Sequence, residues 1–470
     1  MIATLPALLL AASLASLGLQ DEAPGYGPAR LDHGTLDERL HGVWRSRGYG
    51  WLAHVTADDF VLYDHGPAGT RRVSETKEDL LTWFGYFERT GDVVVVGGKD
   101  PANSTTYTFD RLDALPESVA TAIPSDPESV FEYFWRVMDA HYSFFDLWGV
   151  DWQARYEEHR PRVTAETTDA ELFRVLRDAL AGMQDDHLLL EAELDGVREI
   201  YSPGFARVLI PTLREAFRAQ DEIASFDRFV SRWRGRYKNS VATVLLDGDY
   251  RLEADGRVLW GRLGTIGYVN LLAMGGFAPS DDMEVEVPAV HAAMGRILAG
   301  LADCEAIIVD VTQNTGGYDE VQLAIAAHFA REKTLAFTKF PARIEGVEPQ
   351  PFYVLPAEEH RFLGPVALVT SDYTVSAGED FTLAMRALPN VTHYGMATCG
   401  SFSDVLPKEL PNGWTVNLSH EVYLDGEGRH WEGKGVPPEV PLAVFDPADI
   451  ENSHVDAIFE VADALLQAGG

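Results

Sequence analysis

Four stretches of this chain carry residue types whose spacing suits chemistry. The first is Val366-Ala-Leu-Val-Thr-Ser-Asp-Tyr-Thr-Val-Ser-Ala-Gly-Glu-Asp-Phe381. It reads as a buried strand, a short polar turn, and a helix that opens at or next to Ser376. A serine there sits beside unpaired helix N–H groups and the positive end of the helix dipole, which would stabilise negative charge developing on an attacked carbonyl. Serine is also a common helix N-cap, and capping alone explains the residue type. The second stretch, Glu305 to Gly317, ends a buried strand in Asn314-Thr315-Gly316-Gly317. Paired glycines permit positive φ and let backbone N–H groups approach a ligand, though glycine also marks ordinary turns. The third, Ala181-Gly-Met-Gln-Asp-Asp-His187-Leu-Leu-Leu190, runs from a helix end into an apolar strand. The fourth, Trp431-Glu432-Gly-Lys-Gly-Val-Pro-Pro-Glu-Val440, is a Gly/Pro-rich loop that holds a carboxylate.

The elements that must position these residues follow from the patterning. Residues 1–20 read as a signal peptide: Ile2 to Leu19 is Ala/Leu-rich, with cleavage expected near Ala15 or Gly18, although no Lys or Arg precedes the apolar run. The mature protein is expected to be secreted or periplasmic, with no stable membrane insertion after processing. Residues 21–39 are polar and look like a linker. Residues 40–112 carry short alternating runs and suggest a small antiparallel β-sheet or barrel. Its aromatics Trp44, Tyr49, Trp51 and Tyr63 are assigned to its core. A helical lead-in over 125–190 opens at Ser125-Asp126-Pro127-Glu128 and carries His187. Residues 191–260 form a mixed α/β insert, with a helix expected over 220–234 and strands over 241–246 and 250–253. From Gly261 to the end of the chain strands and helices alternate.

Composition narrows the partners. The chain has 38 Lys+Arg against 73 Asp+Glu, a formal charge of -35, which repels phosphate backbones and anionic lipids and excludes nucleic acid. A hydrophobic content of 46% is ample for packed cores over 470 residues. Only Cys304 and Cys399 are present, so there is no disulfide scaffold and no cysteine-ligated zinc site. They either pair in an oxidising compartment or are two unrelated core residues. No metal and no cofactor is called for.

Taken together, the four stretches resemble the carboxyl-terminal processing peptidases, in the branch of the tricorn protease core and the interphotoreceptor retinoid-binding protein. The resemblance rests on Gln184-Asp185-Asp186-His187, Asn314-Thr315-Gly316-Gly317, Ser376-Ala377, Gly395-Met-Ala-Thr398-Cys-Gly400-Ser-Phe-Ser403 and Gly435-Val-Pro-Pro-Glu439, in that order, and covers residues 125 to about 445. Phe131-Glu-Tyr-Phe134-Trp135, Phe144-Phe145-Asp146 and Val150-Asp151-Trp152 match its helical lead-in. It implies an α/β fold whose catalytic domain is a crotonase-like ββα spiral. It also implies a serine peptidase that cleaves peptides or proteins through an acyl-enzyme. Ser376 would be the nucleophile, His187 the general base and Glu432 the acid that steadies it. The N–H groups of Ala377 and of Gly316 or Gly317 would form the oxyanion hole, and Asp186, Asn314 and Thr398 stand as supporting residues. The other branch uses a lysine about two dozen residues after the serine. Here the first lysine after Ser376 is Lys408, too far along, so a Ser-Lys dyad is disfavoured.

Two positions depart from the pattern. Asp186 replaces the serine that precedes the histidine in the tricorn-like branch. Two carboxylates near one imidazole would raise its basicity or leave one acid protonated. Residues 191–260 also show no PDZ-type peptide-binding module. Two alternatives remain at this level. Thr374-Val-Ser376-Ala-Gly378 approaches the α/β-hydrolase elbow, which would take its base from His420, His430 or His454 and its acid from Asp404 or Asp425. A non-catalytic apolar-ligand-binding or scaffold protein on the same fold is the other. Acyl-CoA chemistry on a crotonase spiral finds no support, since an exported protein would not meet that cofactor. Homo-oligomerisation is left open.

Overall fold

A computed structural model describes residues 25–469 apart from 32–33, 205–206, 281 and 345–346. The signal-peptide reading of residues 1–20 therefore lies outside the described residues. Among them, no helix is long and apolar enough to cross a membrane.

The protein is mixed α/β. Its centre is a seven-stranded sheet in the order 250–253, 258–263, 266–271, 306–310, 366–370, 391–395, 440–441. The first pairings are antiparallel, and from Ile266–Leu271 onward every pairing is parallel. Ala306–Asp310 and Val366–Thr370 are buried along their whole length, as their unbroken apolar runs require of parallel strands covered on both faces. Met283–Gly300, Asp319–Ala326 and Ala377–Arg386 cover one face. Phe226–Ser240 and Ser453–Gly469 cover the other. Ligands of such sheets collect at the carboxyl ends of the parallel strands. The turns that follow Asp310 and Thr370 lie there.

A four-stranded antiparallel sheet, ordered 197–201, 189–194, 415–419, 405–409, backs the helical lead-in. The helices Pro127–His141, Trp152–His159 and Asp169–Leu180 pack their apolar faces into one core with it. Asp126 and Thr168 cap two of these helices with their side chains, and Trp135 stacks on Trp152 at 3.7 Å between ring centroids. The lead-in thus delivers the Asp185–His187 turn directly into the Leu189–Leu194 strand.

Eight antiparallel strands between Gly27 and Leu112 make the N-terminal sheet. Although residues 21–39 are polar, Gly27–Pro28 pair with Tyr86–Phe87, and Ala29 and Leu36 are buried in this sheet's core. Trp44 is buried there too, whereas Tyr49 reaches out of it and donates its hydroxyl to Glu421 Oε1 at 2.6 Å.

Two local expectations change. Val241–Leu245, read as a strand, is a wide helical turn continuing Phe226–Ser240, because Val241, Ala242, Leu245 and Leu246 bury together at helical spacing. The helix expected over 220–234 starts later, as Phe226–Ser240, and a separate helix, Leu209–Arg218, precedes it. Gln220 occupies the turn between them, its amide bonded to Phe217 O and Ile223 O. The helix after the Gly316-Gly317 turn stops at Ala326, and Thr334–Pro341 forms a strand paired with Gln350–Val354 and Glu421–Asp425.

Candidate active site

Ser376 ends the turn after the Val366–Thr370 strand, with φ 58° and ψ -132°, and precedes the Ala377–Arg386 helix. A non-glycine residue in that conformation is strained, and such strain clusters at functional sites. Its hydroxyl makes no capping bond. The residue's side chain is therefore not explained by helix capping. What holds the backbone is a bond from Ser376 N–H to Ser401 O at 3.1 Å, together with Glu379 N–H donating to Ser376 O at 2.6 Å.

The Asn314–Gly317 turn lies against it. Asn314 Nδ2 donates to Leu271 O at 3.0 Å, its carbonyl accepts Val375 N–H at 3.1 Å, and its Oδ1 accepts Gly316 N–H at 2.9 Å. Asn314 thus fastens three segments, and it spends the Gly316 N–H in doing so. Among the described residues the N–H groups of Gly317 and Ala377 have no acceptor. Both glycines have positive φ, at 88° and 148°. A Cβ on Gly317 would fall 2.0 Å from Met274 O, so only glycine fits.

The third wall is the 398–403 loop, clamped between two glutamates. Glu379, in the first turn of the Ala377–Arg386 helix, accepts the N–H groups of Gly400 and Ser401 at 2.6 and 2.7 Å. Burial pushes its carboxyl up to about 7. Glu432 accepts Phe402 N–H at 3.0 Å through Oε2, while its buried Oε1 has no partner. Burial first, then the neighbouring Asp185, pushes the Glu432 carboxyl well up. Thr398 Oγ1 accepts Val436 N–H at 2.7 Å. Gly435 must lack a side chain, since a Cβ there would lie 1.9 Å from Thr398 O.

His187 enters on the opposite turn. Asp185, fully buried, accepts Tyr142 OH, Ser419 Oγ–H and the His187 N–H at 3.0, 3.0 and 2.9 Å. Asp186 N–H donates to Ser401 Oγ at 3.4 Å, so one residue, Ser401, joins the His187 turn to the Ser376 backbone. Cys399 Sγ donates to Asp186 Oδ2 at 2.7 Å, and burial pushes the Asp186 carboxyl up. The departure at position 186 is thus accommodated by a cysteine partner. His187 Nδ1 is buried and unpartnered. Among the described residues no hydrogen bond joins the His187 ring to Ser376 or Glu432. Catalytic bonds of this kind often tighten only around substrate.

The alternatives find no such convergence. His454 Nε2 bonds Asp310 Oδ2 at 2.7 Å, His420 packs edge-on to Tyr49 and His430 stacks on Phe144. Asp404 and Asp425 serve Lys339 and Arg429. Lys408 Nζ binds Tyr49 O and Asp64 of the N-terminal sheet. Cys304 and Cys399 are both free thiols. No group of three or more His, Cys, Asp or Glu among the described residues is arranged to hold a metal ion. Sequence reasoning did not single out Asp185, Glu379, Ser401 or Tyr142. Glu379 alone carried a signal, an acid in the first turn after Ser376, and that signal equals ordinary helix-dipole complementation.

A strained serine at a helix start thus faces a double-glycine turn at the carboxyl edge of a parallel sheet, an arrangement open to hydrolase chemistry. Residues 265–442 match Peptidase family S41, and residues 124–181 match the Tricorn protease C1 domain. Over these two stretches the chain is similar to the carboxyl-terminal processing peptidases. A candidate peptidase from Parabacteroides merdae ATCC 43184 is 26% identical, with a TM-score of 0.58 over 73% of this chain and 98% of that one. Mature CPAF complexed with lactacystin is 12% identical at a TM-score of 0.50, over 73% and 99% of the two chains, and shares the fold. The carboxy-terminal processing protease CtpA of Bacillus subtilis (strain 168) is 29% identical over 111 residues, which are 23% of this chain and 24% of that protein. The chain thus matches about a quarter of that relative's length.

Proposed function

We propose that the protein is an exported serine endopeptidase that cleaves peptide or protein substrates. The observation that carries the reading is the uncapped, positive-φ Ser376 beside two unspent N–H groups, those of Ala377 and Gly317. His187 takes the Ser376 hydroxyl proton as Oγ attacks the scissile carbonyl, and the N–H groups of Ala377 and Gly317 receive the oxyanion. Collapse breaks the C–N bond, His187 returns the proton to the departing amine, and water releases the acyl group by the same route. Gly316 contributes by having no side chain, its own N–H being held by Asn314. Glu432, with its spare Oε1, steadies His187, whose Nδ1 is also spare. Export rests on the apolar Ile2–Leu19 leader.

The test is labelling with a fluorophosphonate probe. Ser376 should be modified, His187→Ala should abolish modification, and His430→Ala should leave it intact. No modification of Ser376 in a folded protein that also leaves a peptide library uncut overturns the reading.

A further inference from the structure

We infer that an extended, basic segment of substrate docks as an added strand on the free edge of Val197–Tyr201. This inference rests on the peptidase reading of Ser376. Val197–Tyr201 closes one side of its four-stranded sheet and, among the described residues, pairs only with Leu189–Leu194. An edge strand presents a row of unpaired N–H and C=O groups that another chain can complete, and proteins usually guard such edges with proline, lysine or a covering loop. Here Val197 to Ile200 are all exposed, with Val197 at 57% and Ile200 at 52%. The edge contains neither proline nor lysine. Its one cation, Arg198, is turned back onto Glu191 of its own hairpin at 2.5 and 2.7 Å.

The register aims this edge at the site. Tyr201 pairs with Leu190, so the strand's carboxyl end lies beside the residues that follow His187. The chain then passes against the Asp185–Asp186 turn so closely that a Cβ on Gly204 would lie 2.3 Å from Asp185 C and 2.5 Å from Asp186 N. A strand added outside Val197–Tyr201 therefore continues toward Ser376. Another exposed edge with apolar side chains, Tyr250–Glu253, lacks this property. Two strands separate it from Ala306–Asp310, whose following turn faces Ser376.

Charge names the class of ligand. Glu193, Asp195 and Glu199 are exposed on the hairpin, and among the described residues no cation pairs with them. On a chain of formal charge -35 they favour a cationic segment and speed its encounter. Main-chain pairing gives such docking broad sequence tolerance, with preference set by the side chains that alternate along the strand.

The experiment uses the full chain carrying Ser376→Ala and a capped peptide of alternating lysine and valine. A second version of the peptide is N-methylated at alternate amides along one edge. Fluorescence anisotropy should show the parent peptide binding and the methylated one binding about tenfold more weakly or worse, a factor worth about 1.4 kcal/mol. Val197→Lys combined with Ile200→Lys, on exposed positions, should weaken the parent peptide by a similar factor. In the otherwise unaltered enzyme the same pair should leave the fluorophosphonate labelling rate of Ser376 unchanged. Equal binding of both peptides, undiminished binding to the double-lysine variant, or no binding of the parent peptide overturns the docking. Slowed labelling in the double-lysine variant also overturns it, because the strand would then act through the site itself. Failure of the unaltered enzyme to label overturns the peptidase reading instead, and leaves the peptide measurements standing.

Discussion

A Cβ placed on Gly316 would stand 2.6 Å from the Cβ of Ser376 and 3.1 Å from its hydroxyl oxygen. The serine and the double-glycine turn are thus in backbone-to-side-chain contact, with no room for a methyl group between them. Gly316 also has φ 88°, a conformation alanine adopts only under strain. Gly316→Ala is expected to displace Ser376 and to cut the fluorophosphonate labelling rate by about a hundredfold or more, the scale of losing one oxyanion donor. Circular dichroism should show the variant folded. Labelling at the unaltered rate would separate the glycine turn from the chemistry.

The conformation of Ser376 itself carries a second consequence. Holding a non-glycine residue at positive φ costs of the order of 1 kcal/mol or more. Glycine adopts φ 58° without that cost, and the Ser376 hydroxyl bonds to nothing that stability would lose. Ser376→Gly should therefore abolish labelling and yet raise the denaturant midpoint, by about 1 kcal/mol of stability. A destabilised variant would mean the hydroxyl is structural.

Ser376, His187 and the paired glycines stand out in the sequence as candidates because each sits at an abrupt change of pattern, where a buried strand or helix gives way to a polar turn. The parallel core was legible for the same reason: Ala306–Asp310 and Val366–Thr370 are apolar without alternation. Glu379 and Asp185 were not, because their roles depend on contacts with residues far along the chain, Gly400 and Ser401 for one, Tyr142 and Ser419 for the other. The spending of the Gly316 N–H on Asn314 is likewise a matter of geometry that Asn-x-Gly-Gly spacing does not contain. Val241–Leu245 misled because a short apolar run reads equally as strand or buried helix, and the preceding helix decides between them.

Lys408 offers a direct test of the branch. Its ammonium is buried at the junction of the two sheets, bonded to Tyr49 O at 2.9 Å and Asp64 Oδ1 at 2.5 Å. Lys408→Met leaves Asp64 buried without its cation, a loss of about 3 kcal/mol or more. The variant should melt earlier while its folded fraction still labels at Ser376 with the unaltered rate constant. A loss of labelling at temperatures where the variant remains folded would revive a lysine base.

Glu379 makes stability depend on pH in a direction opposite to that of a salt-bridged acid. Burial raises its carboxyl from 4.5 to about 7, against the pull of the Thr398, Ser401 and Gly400 hydrogen bonds. Between those two values the folded state holds a proton that the unfolded chain has released, so stability falls as pH rises from about 4.5 to about 7 and is level beyond. Glu320 and Glu421, raised to about 7 and about 8 by burial, act in the same sense. The contribution of Glu379 therefore has to be read as a difference. Glu379→Gln keeps a carbonyl acceptor for the 400–401 turn and has no proton to release. Across that window the parent should lose about 3 kcal/mol more stability than the variant, measured by urea unfolding at each pH. Parallel stability curves for the two proteins would show that Glu379 ionises as an exposed acid does, and would detach it from the loop that holds the Ser376 backbone.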